Sequence, residues 1–175
     1  VINQRGCPLP LMSTFSTRPT LALTDLRAVS SFELGNSYAK VSYPAGSYSL
    51  VRNAGSYYDR LDIDASLRIS QGSISLNSVS LPELNRPATL TFYGVPTSNP
   101  KILKDGAVCS TCTGTTYDVA TKAFSFNVTG FSVFTLDFTP EPDATVPSVV
   151  NDNTPTSLAA GTTGFQILDG GGGLA

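Results

Sequence analysis

Cys109 and Cys112 are the residues whose type and spacing most resemble a chemically active site. A Cys-x-x-Cys pair forms a structural disulfide across a turn, a thioredoxin-like redox pair, or half of a zinc site. A zinc site needs four ligands, and without histidine this chain offers only Cys7 and carboxylates as the others. A redox pair needs a following helix, whereas residues 114–128 have the pattern of strands. We therefore predict a structural disulfide between Cys109 and Cys112.

Cys7 is the third cysteine and has no obvious partner in the sequence. An odd cysteine is either a buried free thiol or a thiol that pairs with another chain. Cys7 is therefore the candidate for a covalent link between two subunits.

Acidic residues cluster at Asp59, Asp62 and Asp64. Carboxylate oxygens are ligands that calcium prefers, so these residues are candidates for a calcium site. The alternative is a solvated strand face, because Asp62 and Asp64 alternate with apolar residues. That alternative is the one we favour, and we expect no bound metal.

The residues offer little for catalysis. No pair of acids has a spacing that marks a glycosidase. The absence of histidine from the 175 residues excludes Ser-His-Asp and Cys-His arrangements within them. We expect a protein that is not an enzyme and needs no cofactor.

The composition indicates the compartment. Charged residues make up only 14% of the chain, and Ser, Thr, Gly and Pro take their place, which is typical of extracellular β-proteins. A net charge of −2 without a basic run argues against nucleic-acid binding. No apolar run approaches the roughly 18 residues of a transmembrane helix. The chain begins at Val1, so either a signal peptide has been removed or the chain is a fragment of something longer. We favour removal of a signal peptide, from an extracellular or cell-surface protein.

The pattern of apolar residues predicts strands separated by turns about every ten residues. Residues 61–69 alternate apolar and polar, which predicts a strand with one face in the core. Residues 73–81 follow after a Gln71-Gly72 turn, and Phe124, Phe126 and Val128 also alternate inward. No segment before Phe138 keeps a helical period over three turns. We predict an all-β fold, an antiparallel β-sandwich of immunoglobulin-like or jelly-roll-like type.

Two extensions flank the predicted sandwich. Residues 1–17 are short and interrupted by proline, so we predict an N-terminal arm or donor strand. Residues 18–138 form the sandwich. Residues 139–175 are rich in Pro, Thr and Gly, and we expect them to pack on the same or a neighbouring subunit.

Two surface features concern carbohydrate. Asn127-Val128-Thr129 is a glycosylation sequon beside a predicted turn, so Asn127 is a candidate glycan site. Seven tyrosines offer a possible sugar-binding platform, although half-buried packing in the sandwich is the interpretation we prefer.

Three pieces of sequence carry a family resemblance: residues 84–89 (LNRPAT), residues 100–106 (PKILKDG) with Cys109 and Cys112, and residues 126–132 (FNVTGFS). Together they resemble a β-sandwich module of large secreted surface proteins of archaea and small-celled uncultivated bacteria. The match covers about a third of the chain. The resemblance implies a structural or adhesive role at the cell surface and no catalytic residues.

These observations favour a structural subunit of an extracellular filament or surface layer. Subunits would join when a strand of one adds to a sheet edge of the next, so the expected partner is a second copy of the chain. Residues 1–17 are the preferred donor, with Cys7 as a lock, and residues 146–168 are the alternative donor. The alternative function is an adhesive module on a stalk that binds carbohydrate or another surface.

Overall fold

The computed structural model describes residues 10–20, 26–51 and 61–139, and it confirms an all-β fold. The described strands in chain order are β1 (Phe32–Gly35), β2 (Ala39–Tyr43), β3 (Leu67–Ser70), β4 (Ser73–Leu76), β5 (Ala88–Phe92), β6 (Lys101–Lys104), β7 (Ala107–Val108), β8 (Thr113–Asp118), β9 (Ala123–Val128) and β10 (Val133–Asp137). The helical residues are one short helix, α1 (Ile63–Ser66), and a 3₁₀ turn at Pro82–Leu84.

The strands form two antiparallel sheets of five strands each. The first sheet has the order β1-β2-β5-β9-β8 and the second has the order β3-β4-β10-β6-β7. Neighbours such as β8 and β9 or β3 and β4 are hairpins, whereas β9 and β10 belong to different sheets. This arrangement is an antiparallel sandwich, as the sequence predicts.

The alternation of apolar residues explains the shared core. In β9, Phe124, Phe126 and Val128 are buried as predicted, and the intervening Asn127 is exposed. The Phe126 ring lies 6.0 Å from that of Phe92 on β5 and 6.0 Å from that of Phe134 on β10. Because β10 belongs to the second sheet, these rings join the two layers.

The predicted strand over residues 61–69 is wrong in its first half. Ile63–Ser66 form the single turn α1, and the strand β3 begins at Leu67. Asp62 starts the turn because its side chain accepts a hydrogen bond of 2.9 Å from the backbone N–H of Ala65. Ala65 consequently lies at the surface, although the alternation predicts it in the core.

The predicted strand over residues 73–81 is too long. β4 ends at Leu76, and the side-chain oxygen of Asn77 accepts hydrogen bonds from the backbone N–H groups of Val79 and Ser80. This local turn competes with strand pairing. It leaves Val79 90% exposed.

The described part of the predicted N-terminal arm packs on the sandwich. Met12 and Phe15 are each 3% exposed in the common core. Leu11 makes a parallel bridge to Asp62, and Thr17 makes an antiparallel bridge to Gly35. Residues 10–17 therefore contribute to the core of their own domain.

Several predictions fall outside the described residues. These are residues 1–9 with Cys7, residue Asp59, and the extension from residue 140 onward. The chain divides into two units, Val1–Thr139 and Pro140–Ala175, and the second contains no described residue.

Candidate functional site

β8 is the longest of the described strands whose residues are mostly exposed. It lies at one end of the first sheet and pairs with β9 on its inner side. Five of its six residues are exposed, and Tyr117 is half-buried, with its hydroxyl donating to the carbonyl of Val95 at 2.9 Å. An edge strand presents backbone N–H and C=O groups to which another strand can bind.

A bulge interrupts β8. Thr113 pairs with Asn127 and Thr116 pairs with Ser125, so Gly114 and Thr115 lie opposite Phe126 and β8 carries one extra residue. Gly114 has a φ of +63°, a conformation that favours glycine. Regular pairing with β9 resumes from Thr116 to Asp118. An added strand would therefore fit in a restricted set of registers.

The other sheet edges are shorter or already occupied. β7 has only two residues. At β1, the backbone N–H and C=O of Gly35 both bond to Thr17 at 3.0 Å. At β3, the carbonyl of Ile69 accepts a hydrogen bond of 3.0 Å from the side chain of Asn36. β8 is thus the longest accessible edge among the described strands.

Cys109 and Cys112 are joined by a disulfide, as predicted. The bridge lies in the connection between β7 and β8, which are the last strands of their two sheets. The N–H of Cys109 donates to the carbonyl of Ile102 at 2.8 Å, and both cysteines pack against the core. The disulfide therefore closes the corner where the chain passes from one sheet edge to the other.

The first piece of the resembling sequence anchors the turn between β9 and β10. The side-chain oxygen of Asn85 accepts a hydrogen bond of 2.7 Å from the backbone N–H of Phe131. The Phe131 ring is buried, 5.9 Å from the ring of Tyr43 and 6.5 Å from that of Phe134. A side chain at Gly130 would crowd Asn85, because an added Cβ would lie 3.0 Å from its oxygen.

The second piece anchors the same turn from the other side. Asp105 accepts hydrogen bonds from the Ser132 hydroxyl and, at 3.2 Å, from the backbone N–H of Val133. The hydrogen bond from Ser132, and then that from Val133, lower the pKa of the Asp105 carboxyl. The three resembling pieces therefore meet at one turn, which we call the motif clamp (Asn85, Asp105 and residues 130–133).

The predicted calcium residues have other partners. Asp62 caps α1, and the carboxylate of Asp64 accepts four hydrogen bonds from the backbone and hydroxyl groups of Ser13 and Thr14, at 2.7 to 3.0 Å. Partial burial acts to raise the pKa of Asp64, but the hydrogen bonds from Thr14 and Ser13 outweigh it, so the pKa is lowered. Within residues 10–20, 26–51 and 61–139, no three Asp, Glu, Cys or His residues group as metal ligands. Asp59 lies outside the described residues, so neither the calcium alternative nor the favoured expectation of no bound metal is tested.

Asn127 lies on the outer face of the first sheet. Its side chain is exposed, and its oxygen accepts a hydrogen bond of 2.8 Å from the Thr89 hydroxyl. The sequon is therefore at the surface, next to the motif clamp in sequence.

Sequence reasoning missed the importance of β8 and of the motif clamp. A signal for β8 was present, because the run Thr-Gly-Thr-Thr has no apolar residue to bury. No local signal exists for the clamp, since Asn85 and Phe131 are 46 positions apart.

Comparison with known proteins does not extend these observations. No family model, no curated protein and no solved structure matches the chain. In the part of the chain with described structure, no helix is long and apolar enough to cross a membrane.

Proposed function

We propose that this chain is a structural, non-catalytic subunit of an extracellular filament or cell-surface layer. Subunits join when a strand of one copy adds to the β8 edge of the next. The observation that carries the proposal is that β8 is a six-residue edge strand with five exposed residues. At about 3.4 Å per residue it spans about 20 Å, a length at which several main-chain hydrogen bonds can form.

The donor segment lies outside residues 10–17, because Met12 and Phe15 are needed in their own core. Residues 1–9 are the preferred donor, and residues 140–175 run along the neighbouring subunit. A head-to-tail contact of this kind does not close on itself and produces a fibre. The Cys7 thiols of two subunits form a disulfide between them, with two electrons passing to an oxidant of the extracellular compartment and two protons released.

Two observations support an extracellular location. The Cys109–Cys112 disulfide suits an oxidising compartment. Asn127 is exposed and its sequon is accessible, and we propose that it carries a glycan.

Electron microscopy of the full chain tests the proposal. We expect fibres or ordered sheets. A monodisperse monomer at all concentrations would contradict the proposed function.

Deletion of residues 1–9 tests the donor segment. The deletion leaves Met12 and Phe15 in place, so we expect a folded protein that no longer forms fibres. Fibres of unchanged appearance would show that residues 1–9 are not the donor. Non-reducing gels of wild type and of Cys7→Ser report the link through Cys7, which is expected as a dimer band in the wild type alone.

A further inference from the structure

Tyr38 and Tyr93 are exposed tyrosines that lie next to the first sheet, directly before β2 and directly after β5. Ala39 and Phe92 are buried register partners in β2 and β5, and these tyrosines are their immediate neighbours in sequence. The N–H of Tyr93 donates to the carbonyl of Tyr38 at 2.9 Å, which continues the pairing. Tyr38 is 48% exposed and Tyr93 is 39% exposed, whereas Tyr43 and Tyr48 are buried in the core. Ala39 and Phe92 face the core, so the residues next to them in sequence fall on the outer side of the sheet, in line with the exposure of both tyrosines.

Polar groups surround the pair on that face. Lys40 and Thr91 are register partners one step further along β2 and β5. The Thr91 hydroxyl is 2.9 Å from that of Ser125 on β9. The Lys40 ammonium bonds to the carboxylate of Glu33 at 2.8 Å, so its charge is already neutralised.

We propose that this face binds a neutral saccharide, with Tyr38 and Tyr93 as the stacking platform and Lys40, Thr91 and Ser125 as hydrogen-bonding groups. The C–H groups of a sugar ring carry partial positive charge, and the face of an aromatic ring is electron-rich. Hydroxyl groups of the sugar can both donate to and accept from Thr91 and Ser125.

The composition and charge of the patch distinguish this ligand from other occupants. A stable protein interface buries about 800 Å² on each partner around an apolar centre, whereas here two rings are bordered by polar groups. An acidic saccharide would need an unpaired cation, and Lys40 is paired with Glu33. The saccharide site lies on the sheet face, not on the β8 edge, so it does not depend on the proposed assembly.

Saturation-transfer NMR on the full chain tests the proposal, because it reports ligand binding to monomers and fibres alike. The probes are three neutral hexasaccharides (cellohexaose, mannohexaose and chitohexaose) and one acidic one, hexagalacturonate. We expect transfer to at least one neutral probe and weaker or no transfer to hexagalacturonate. Tyr38→Ala and Tyr93→Ala each weaken binding about three- to tenfold, as expected for the loss of one ring contact.

Two control variants complete the test. Tyr38→Phe keeps the ring and retains most of the affinity, and Val79→Ala changes an exposed residue on another part of the surface without effect. Absence of transfer to all three neutral probes would overturn the proposal. Equal binding by wild type and both alanine variants would overturn it as well. Loss of fibres in Tyr38→Ala without saccharide binding to the wild type would assign the face to a second copy of the chain instead.

Discussion

The motif clamp and β8 are both next to β9 in the chain, yet their surroundings are opposite. At the clamp, Phe131 is buried and its backbone is bonded to Asn85. On β8, Tyr117 alone is partly buried, and a bulge interrupts the pairing with β9. The clamp residues therefore stabilise the fold. The residues of β8 contribute little to the core, and they are available for contact with another molecule.

The largest expected difference is in the free energy of unfolding at the clamp. Phe131→Ala removes a buried ring that contacts Tyr43 and Phe134, so it should destabilise the domain by about 3–5 kcal/mol. Val119→Ala, beside β8 and 77% exposed, should change stability by no more than about 0.5 kcal/mol. Denaturant titration measures both. Equal losses of stability in the two variants would show that the motif clamp and β8 contribute equally to the stability of the fold.

The disulfide lies in the chain between Asp105 of the motif clamp and β8. Its removal should have the second largest effect on the free energy of unfolding. The bridge closes a loop with a sequence separation of three, for which the loop-entropy model gives about 2 kcal/mol. Cys109→Ser with Cys112→Ser should lower the free energy of unfolding by that amount. Cys7→Ser is the matched control for loss of a thiol. No difference between the two variants would mean that the bridge does not stabilise the corner.

The Asn85 anchor should contribute less. Asn85→Ala removes the bond to the Phe131 N–H, which lies close enough to the surface for water to replace the lost partner in part. We expect a loss of about 1 kcal/mol in the denaturant titration. Asn99→Ala, at an exposed loop position, is the control and should be neutral. If the Asn85 side chain does not stabilise the turn, Asn85→Ala and Asn99→Ala should have the same free energy of unfolding.

The Asp105 anchor should make stability depend on pH. Its pKa is lower in the folded state than in the unfolded state, because Ser132 and Val133 donate to the carboxylate. The contribution is therefore complete above about pH 4 and is lost as the pH falls through the lower, folded-state pKa. Asp105→Asn tolerates the positive φ of 53°.

The difference between wild type and Asp105→Asn should be small, since water screens this exposed group. The difference should be present at pH 7 and shrink as the pH falls below about 4, the ordinary pKa of an aspartate. Thermal unfolding across this range measures the difference. A constant difference would show that the charge of Asp105 has no part in the anchor.

A charge on β8 should have the smallest effect on stability and a clear effect on assembly. Thr116→Lys adds a charge to an exposed edge, where lysine is known to discourage strand addition. The free energy of unfolding should change by no more than about 0.5 kcal/mol, while fibres become fewer in electron micrographs. Val79→Lys adds the same charge at another exposed position and should assemble as the wild type does. Equal assembly by the two variants would argue against the β8 edge.

The sequence predicted the features that depend on neighbouring residues. Alternation placed Phe124, Phe126 and Val128 in the core, and the Gln71-Gly72 turn lies between β3 and β4 as expected. Contacts between distant residues were not predictable in this way. The interaction of Asp64 with Ser13, 51 positions away, accompanies the helical turn that replaces the expected strand. Whether a strand lies at an edge also depends on pairing across the whole sheet, so β8 was not singled out.

Amide hydrogen exchange of Thr113–Asp118 tests the central claim most directly. In the dispersed subunit, the β8 amides that do not bond to β9 should exchange quickly, since they face solvent. In the assembled material an added strand should protect them, while the exchange of core amides in β9 stays unchanged. If those β8 amides exchange equally fast in both states, β8 is not the edge at which subunits join.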